Sequence, residues 1–227
     1  MNHLDNLIEK LKSKSRVDQL QGMAKYGIKT DNRLGVSIPD IRKIAKEFGK
    51  NHDVALELWK TNIADARILA ALIDEVEKVT SEQMDQWVKD FDSWDVCDQV
   101  CMNLFDKTPF AWDKIVEWSN KDEEFVKRAA FALLACLAWH DKKASNEKFI
   151  EYLPIVKKNI SDDRNYVKKA ISWSIRNIGK RNIKLHSYVL IFAEEIKRIN
   201  TKNAKWIASD IIRDLNTIQT KKRLKIL

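Results

Sequence analysis

The sequence predicts an all-α protein, and three observations carry that prediction. Only five Gly and three Pro occur in 227 residues, far fewer chain breakers than an average composition supplies. No stretch alternates Val, Ile or Thr with polar residues at period two, as a half-buried strand requires. Helix starts are legible: Ser37-Ile-Pro-Asp40 and Thr80-Ser-Glu-Gln83 read as capping boxes, and Thr108-Pro109 as an N-cap followed by Pro at the first helical position.

The elements follow one another as weak copies of a single scheme. From Trp59 to Ala70 an aromatic is followed by a short polar break and then, 11 positions on, a small apolar residue. Trp118 to Ala129 repeats this at the same spacing, and Asn159 to Ala170 matches it more loosely. The scheme is that of a helical hairpin: one helix ends, a polar turn follows, and an Ala-rich helix begins. Stacked copies at irregular intervals predict a HEAT-like array. The expected fold is therefore a right-handed superhelical solenoid of HEAT-like helical repeats, one domain spanning residues 1–227. Trp87 to Asp98 fits the same register and would set Asp98 where the other copies have Ala70, Ala129 and Ala170.

That acid is the most unusual feature of the chain. If residues 91–105 are helical, Trp94, Cys97, Asp98, Cys101 and Phe105 share one face, apolar except for Asp98. A carboxylate on such a face is costly to bury, or it is exposed in a cleft for a purpose.

Composition narrows what the cleft holds. Net charge is +8 and unevenly spread. Residues 1–120 carry 17 Lys and Arg against 21 Asp and Glu, a balance of −4; residues 121–227 carry 24 against 12, a balance of +12. A basic half of this size fits a polyanionic partner, nucleic acid first, or else a solvated Lys-rich surface. Three cysteines, none in a CxxC pair, argue against a disulfide framework or a zinc site, and no metal is expected. The start resembles no secretory signal, and the apolar run Ala129–Trp139 is too short to cross a bilayer. A soluble, cytoplasmic protein is expected, with no membrane partner and a monomeric state as the default. No Gly-rich phosphate loop, HExxH or G-x-S-x-G elbow occurs, so a nucleotide cofactor, zinc hydrolysis and serine catalysis lose support. His140-Asp141 reads as a helix-end pair rather than a catalytic dyad. The basic stretch Thr220-Lys-Lys-Arg-Leu-Lys225 reads as a terminus able to touch phosphate but more ordinarily frayed.

What remains is an acid-and-aromatic set: Trp94 with Asp98, Arg128 just before the apolar run, and Trp173 flanked by Lys168, Lys169 and Arg176. At equivalent places in successive repeats these would line the concave surface of a solenoid. They resemble the AlkD-like family of DNA alkylation repair glycosylases, built from HEAT-like repeats. The likeness runs from Met23-Ala-Lys-Tyr26 and Leu34-Gly-Val-Ser-Ile-Pro-Asp-Ile-Arg42 through Trp94-Asp-Val-Cys-Asp98 and Val126-Lys-Arg128 to Lys169-Ala-Ile-Ser-Trp173-Ser-Ile-Arg176. It implies Asp98 as the essential carboxylate and Trp94 and Trp173 as lesion-flanking rings. Arg128 would be the family's arginine, and Tyr26 an aromatic near the lesion. Where the family commonly has two adjacent aromatics before the acid, this chain has Ser93 in place of the first; Cys97 precedes the acid where an aliphatic residue is more usual.

The resemblance implies hydrolysis of the N-glycosidic bond of purines alkylated at N3 or N7 in duplex DNA, leaving an abasic site and needing no cofactor. The physics agrees. A cationic base is already a good leaving group, and one carboxylate suffices to stabilise an oxocarbenium-like transition state. The alternative is a non-catalytic HEAT-repeat scaffold for distorted or branched DNA; a third reading is a plain protein-interaction module.

Overall fold

The computed structural model describes residues 2–226. Among them are fourteen α-helices and three short 3-10 turns, with no strand. The chain divides into two compact units, one ending at Phe110 and the other beginning at Ala111.

The first unit contains α1 (His3–Ser13), α2 (Leu20–Lys25), α3 (Ile38–Phe48), α4 (His52–Lys60), α5 (Ala64–Ile73), α6 (Ser81–Lys89) and α7 (Trp94–Asn103). Helix α5 packs on α3, α4 and α7 and is buried along most of its length. Its fully buried Asp65 ties down the preceding loop. Its two carboxylate oxygens accept from the Leu34 and Val36 amides, each at 2.7 Å, so a charge and two backbone donors satisfy one another out of water. Gly35 in that loop adopts a positive φ of 74°, and a Cβ there would meet the Arg16 carbonyl oxygen at 2.6 Å. The ends of α4 and α6 meet through their tryptophans. Trp59 and Trp87 stack at 3.9 Å and 5°, Trp59 Nε1 donates to Asp90 at 2.8 Å, and the Arg67 guanidinium lies 5.0 Å from the Trp59 ring.

The second unit contains α8 (Ala111–Ser119), α9 (Glu124–His140), α10 (Asn146–Asn159), α11 (Asn165–Gly179), α12 (Ile183–Lys197), α13 (Lys202–Leu215) and α14 (Ile218–Arg223). Helix α9 packs on α8 and α11, and α11 on α12 and α13. The run from Ala129 to Ala138 is buried without interruption, as the core of a helical array demands. No helix among the described residues is long and apolar enough to cross a membrane.

The predicted caps are realised in part. Ser37 accepts from the Asp40 amide and donates to its carboxylate. Thr80 accepts from the Gln83 amide, but the Gln83 side chain leaves the box to donate to Asp74, which is fully buried. Thr108 is not an N-cap: its hydroxyl donates to the Phe105 carbonyl and closes a 3-10 turn, and α8 begins only at Ala111. Residues 220–223 of the basic stretch lie in α14, which Thr217 caps, and Leu224 and Lys225 follow its end.

The register of Asp98 also differs from the expectation. Helix α7 ends at Asn103, so Phe105 lies beyond it in a 3-10 turn. The buried side of α7 is Val96, Cys97, Val100 and Cys101; Trp94 and Asp98 border it and are half-buried. Counting from helix starts rather than from the preceding aromatic, the third residues of α5, α7, α9, α11 and α13 are Ala66, Val96, Val126, Val167 and Ala204, all buried. Asp98 then matches Arg128 and Lys169 as the fifth residue of its helix, one place before Ala129 and Ala170. The spacing of 11 from the aromatic misleads because Trp87 and Trp118 sit at different distances from their helix ends. Asp98 is thus no substituted core alanine.

The tryptophan stack anchors the first unit's hairpins. Trp87→Ala is expected to destabilise that unit by about 3–5 kcal/mol, read as a shift of its urea unfolding midpoint.

Candidate nucleic-acid interface

In the first unit the predicted residues from distant stretches of chain come together. Ser93, at the N-cap of α7, is buried. Its hydroxyl donates to Asp95 Oδ1 at 2.6 Å and accepts from the Lys29 amide at 3.2 Å. Asp95 also pairs with buried Arg33, whose Nη1 lies 2.8 Å from Oδ2 and whose Nη2 donates to Oδ1 at 3.0 Å. Arg33 Nε donates to the Lys29 carbonyl. The 29–33 segment is therefore fixed on the first turn of α7 by a bidentate ion pair, the geometry in which Arg and carboxylate bind most strongly. This holds Tyr26 beside Trp94: the indole Nε1 donates to the Tyr26 carbonyl at 3.1 Å. Tyr26 is 78% exposed. Asp98 follows one turn after Trp94, half-buried. A half-buried carboxylate one helical turn from an indole is of a type suited to stabilising positive charge.

Sequence reasoning missed Ser93, Asp95 and Arg33 as one node. The signal was Ser-x-Asp at a helix start, with an Arg 62 residues earlier that no local pattern connects. Filling position 93 with an aromatic would remove both hydroxyl bonds.

In the second unit the predicted set separates into surface and interior. Lys169 is exposed and Trp173 half-exposed, and at a spacing of four they lie on one face of α11, continued by Asn177 and Lys180. Lys168 stands 5.0 Å over the Trp206 ring. Arg176 is largely committed: its guanidinium faces Asp210 at 3.5 Å and Asp214 at 3.6 Å. Arg128 departs most from the expectation of a surface cation. It is buried, and its Nη1 donates to the Tyr166 carbonyl at 2.7 Å, joining α9 to the start of α11. Around it Phe125 stacks on Tyr166 at 5.4 Å, and the Tyr166 amide donates to Glu124.

A second tie closes the same end. Arg164 Nε and Nη2 donate to the two oxygens of Asp162 at 3.0 and 2.6 Å, its Nη1 donates to the Asp122 carbonyl, and Lys127 lies 3.6 Å from Asp162. Burial by itself would raise the Asp162 carboxyl; the bonds from the Arg164 side chain and amide, with the charges of Arg164 and Lys127, outweigh it and hold the pKa below the ordinary value.

Cys97, Cys101 and Cys136 are all buried, and no cluster of three or more metal-binding side chains occurs among the described residues. Asp141 caps the end of α9, accepting from the Lys143 and Ala144 amides, which accounts for His140-Asp141 as a helix-end pair.

Residues 7–209 match the family described as DNA alkylation repair enzyme. A solved structure described as "a new family of proteins related to the HEAT-like repeat DNA glycosylases with affinity for branched DNA structures" is 21% identical. That match covers 97% of this chain and 95% of that one, at a TM-score of 0.79, and it establishes the HEAT-like fold. An engineered protein is 16% identical, with 95% of this chain and 99% of that one covered, at a TM-score of 0.47, too low to bear on the argument. No curated protein matches the chain.

A group with a depressed folded-state pKa stabilises above its unfolded pKa, near 3.9 for Asp, and that contribution is lost as pH falls through the folded value. Asp162→Asn is accordingly expected to cost about 2 kcal/mol at pH 7, with wild type and variant converging as pH falls through the depressed folded-state pKa of Asp162. Urea titrations of both proteins across pH 2–7 measure the convergence.

Proposed function

The chain belongs to the family of DNA alkylation repair enzymes, and on that premise we propose that it is a monofunctional DNA glycosylase acting on purines made cationic by alkylation at N3 or N7. The observation that carries this reading is on α7, where the Trp94 indole is bonded to the Tyr26 carbonyl one helical turn ahead of the half-buried Asp98 carboxylate.

In the proposed reaction the bond between C1′ and the base nitrogen breaks, and its electron pair leaves with the base, neutralising the base's positive charge. Positive charge then develops on the sugar. Asp98 stabilises it and orients the water that adds to C1′, and the proton that this water loses passes to solvent. Trp94 offers a π face to the same charge. No acid partner is required, because the leaving group needs no protonation. Lys168 and Lys169 contact phosphates without reading sequence, and Trp173 packs against the nucleotide they hold. Arg128 acts as a positioning residue, fixing α11 through Tyr166. Arg176, faced by Asp210 and Asp214, contributes less than its formal charge.

A second reading, a non-catalytic scaffold for branched DNA, is favoured by Ser93. Where the resembling family commonly has an aromatic, this chain has a hydroxyl used in internal bonding, and the relative of known structure is described by its affinity for branched DNA.

The two readings part on base release. Incubation with duplex DNA containing N7-methylguanine or N3-methyladenine is expected to yield free base and abasic sites above the spontaneous rate. Asp98→Asn is expected to lower that rate by about 100-fold or more while duplex affinity changes less than about twofold. Absence of release from both lesions sinks the glycosylase reading, and an Asp98→Asn variant as fast as wild type removes Asp98 from the chemistry. Lys169→Glu, at an exposed unpaired cation, is expected to weaken duplex binding on every sequence and to reduce the salt dependence of log K by about one unit.

A further inference from the structure

A cavity of about 390 Å³ opens in the second unit, lined by Trp139, Lys142, Trp173, Asn177, Lys180, Arg181 and Arg223 among others. Only Trp173 of these belongs to the site predicted from sequence. Trp139 follows the buried run of α9 and is 50% exposed, its ring stacked on His140. Lys142 and Arg223 are exposed, and neither forms an ion pair among the described residues. The other two cations are partly occupied: Lys180 by Asp214 at 2.5 Å, Arg181 by the carbonyls of Ala138, Asp141 and Ala144. Carbonyls orient the Arg181 guanidinium without neutralising it, so its positive charge stays at the wall.

Two accessible indoles and two uncompensated cations, joined by an amide and a fixed guanidinium, form a two-part receptor. The indoles suit a planar ring, while the cations suit a dianion or a diester phosphate. A nucleotide carries both groups, and the volume lies in the range of small-ligand sites, about 300–1,000 Å³. Paired bases cannot present a face to a side chain, because both faces are stacked within the duplex; an unpaired base can.

We propose that this cavity binds one unpaired nucleotide of a DNA strand, its base against Trp139 and Trp173 and its phosphate at Lys142 and Arg223. The protein would thereby favour DNA with a single-stranded tail, gap or junction over continuous duplex. The inference rests on the reading of the second unit as DNA-holding, and is independent of the chemistry assigned to Asp98. α14 is essential to it, since that short helix carries Arg223 to the cavity mouth.

The test compares three probes with wild-type protein: a blunt 16-base-pair duplex, the same duplex with a four-nucleotide 5′-phosphorylated tail, and a free deoxynucleoside 5′-monophosphate. The tail is expected to tighten binding about tenfold and to quench tryptophan fluorescence. Trp139→Ala and the double variant Lys142→Glu/Arg223→Glu, all at exposed positions, should each remove that gain. Equal affinity for tailed and blunt duplex overturns the proposal, as does a gain that survives both variants. A free nucleotide that binds while the tail adds nothing also overturns it, because the cavity would then serve a small molecule. Base release from a blunt methylated duplex is measured alongside. Tail preference without release defeats the glycosylase reading and leaves this one standing; release without tail preference does the reverse.

Discussion

The second helix of each hairpin buries the residue three places in, and what the protein displays depends on that constraint. Ala66, Val96, Val126, Val167 and Ala204 occupy this position and all are buried. With 3.6 residues per turn, position five lies about 200° around the helix from position three, away from the side that position three buries. Asp98, Arg128 and Lys169 occupy that fifth position. The same register serves a half-buried acid in α7, an interior guanidinium in α9 and an exposed ammonium in α11. A one-residue slip would bury Asp98 without compensation, at several kcal/mol.

Each unit then adds a polar device that fixes its own presenting surface. In the first, Ser93, Asp95 and Arg33 clamp the loop beyond Tyr26 onto the start of α7. In the second, Arg128 and the Asp162–Arg164 pair lock the starts of α9 and α11. Both devices use multiply bonded Arg in sheltered settings, where removing one partner strands the other. On the proposed reading, these ties at the helix starts hold Trp94, Asp98 and Lys169 in place before DNA binds, so that less ordering is required.

The two units divide the labour in charge as well. The acid-rich first part of the chain carries the carboxylate assigned to chemistry, whereas the basic remainder carries the exposed lysines and the cation-lined cavity. A polyanion is attracted to the basic part through long-range, salt-sensitive forces.

The sequence by itself determined the helical class, the hairpin repeats and the identity of Trp94, Asp98 and Trp173 as candidates, because periodicity, scarce breakers and short motifs are local properties; Tyr26 came only from the family resemblance. It misjudged the register of Asp98, since turn lengths between helices vary and spacing from an aromatic does not count helical residues. It also placed Arg128 on the surface, for nothing local tells a buried Arg bonded to a carbonyl 38 residues away from a phosphate ligand. The Ser93–Asp95–Arg33 node and the cavity joining Trp139, Trp173 and Arg223 were decided only by tertiary structure. Each joins side chains from well-separated helices or loops, and which of them meet is fixed by packing that burial drives and sequence spacing does not encode.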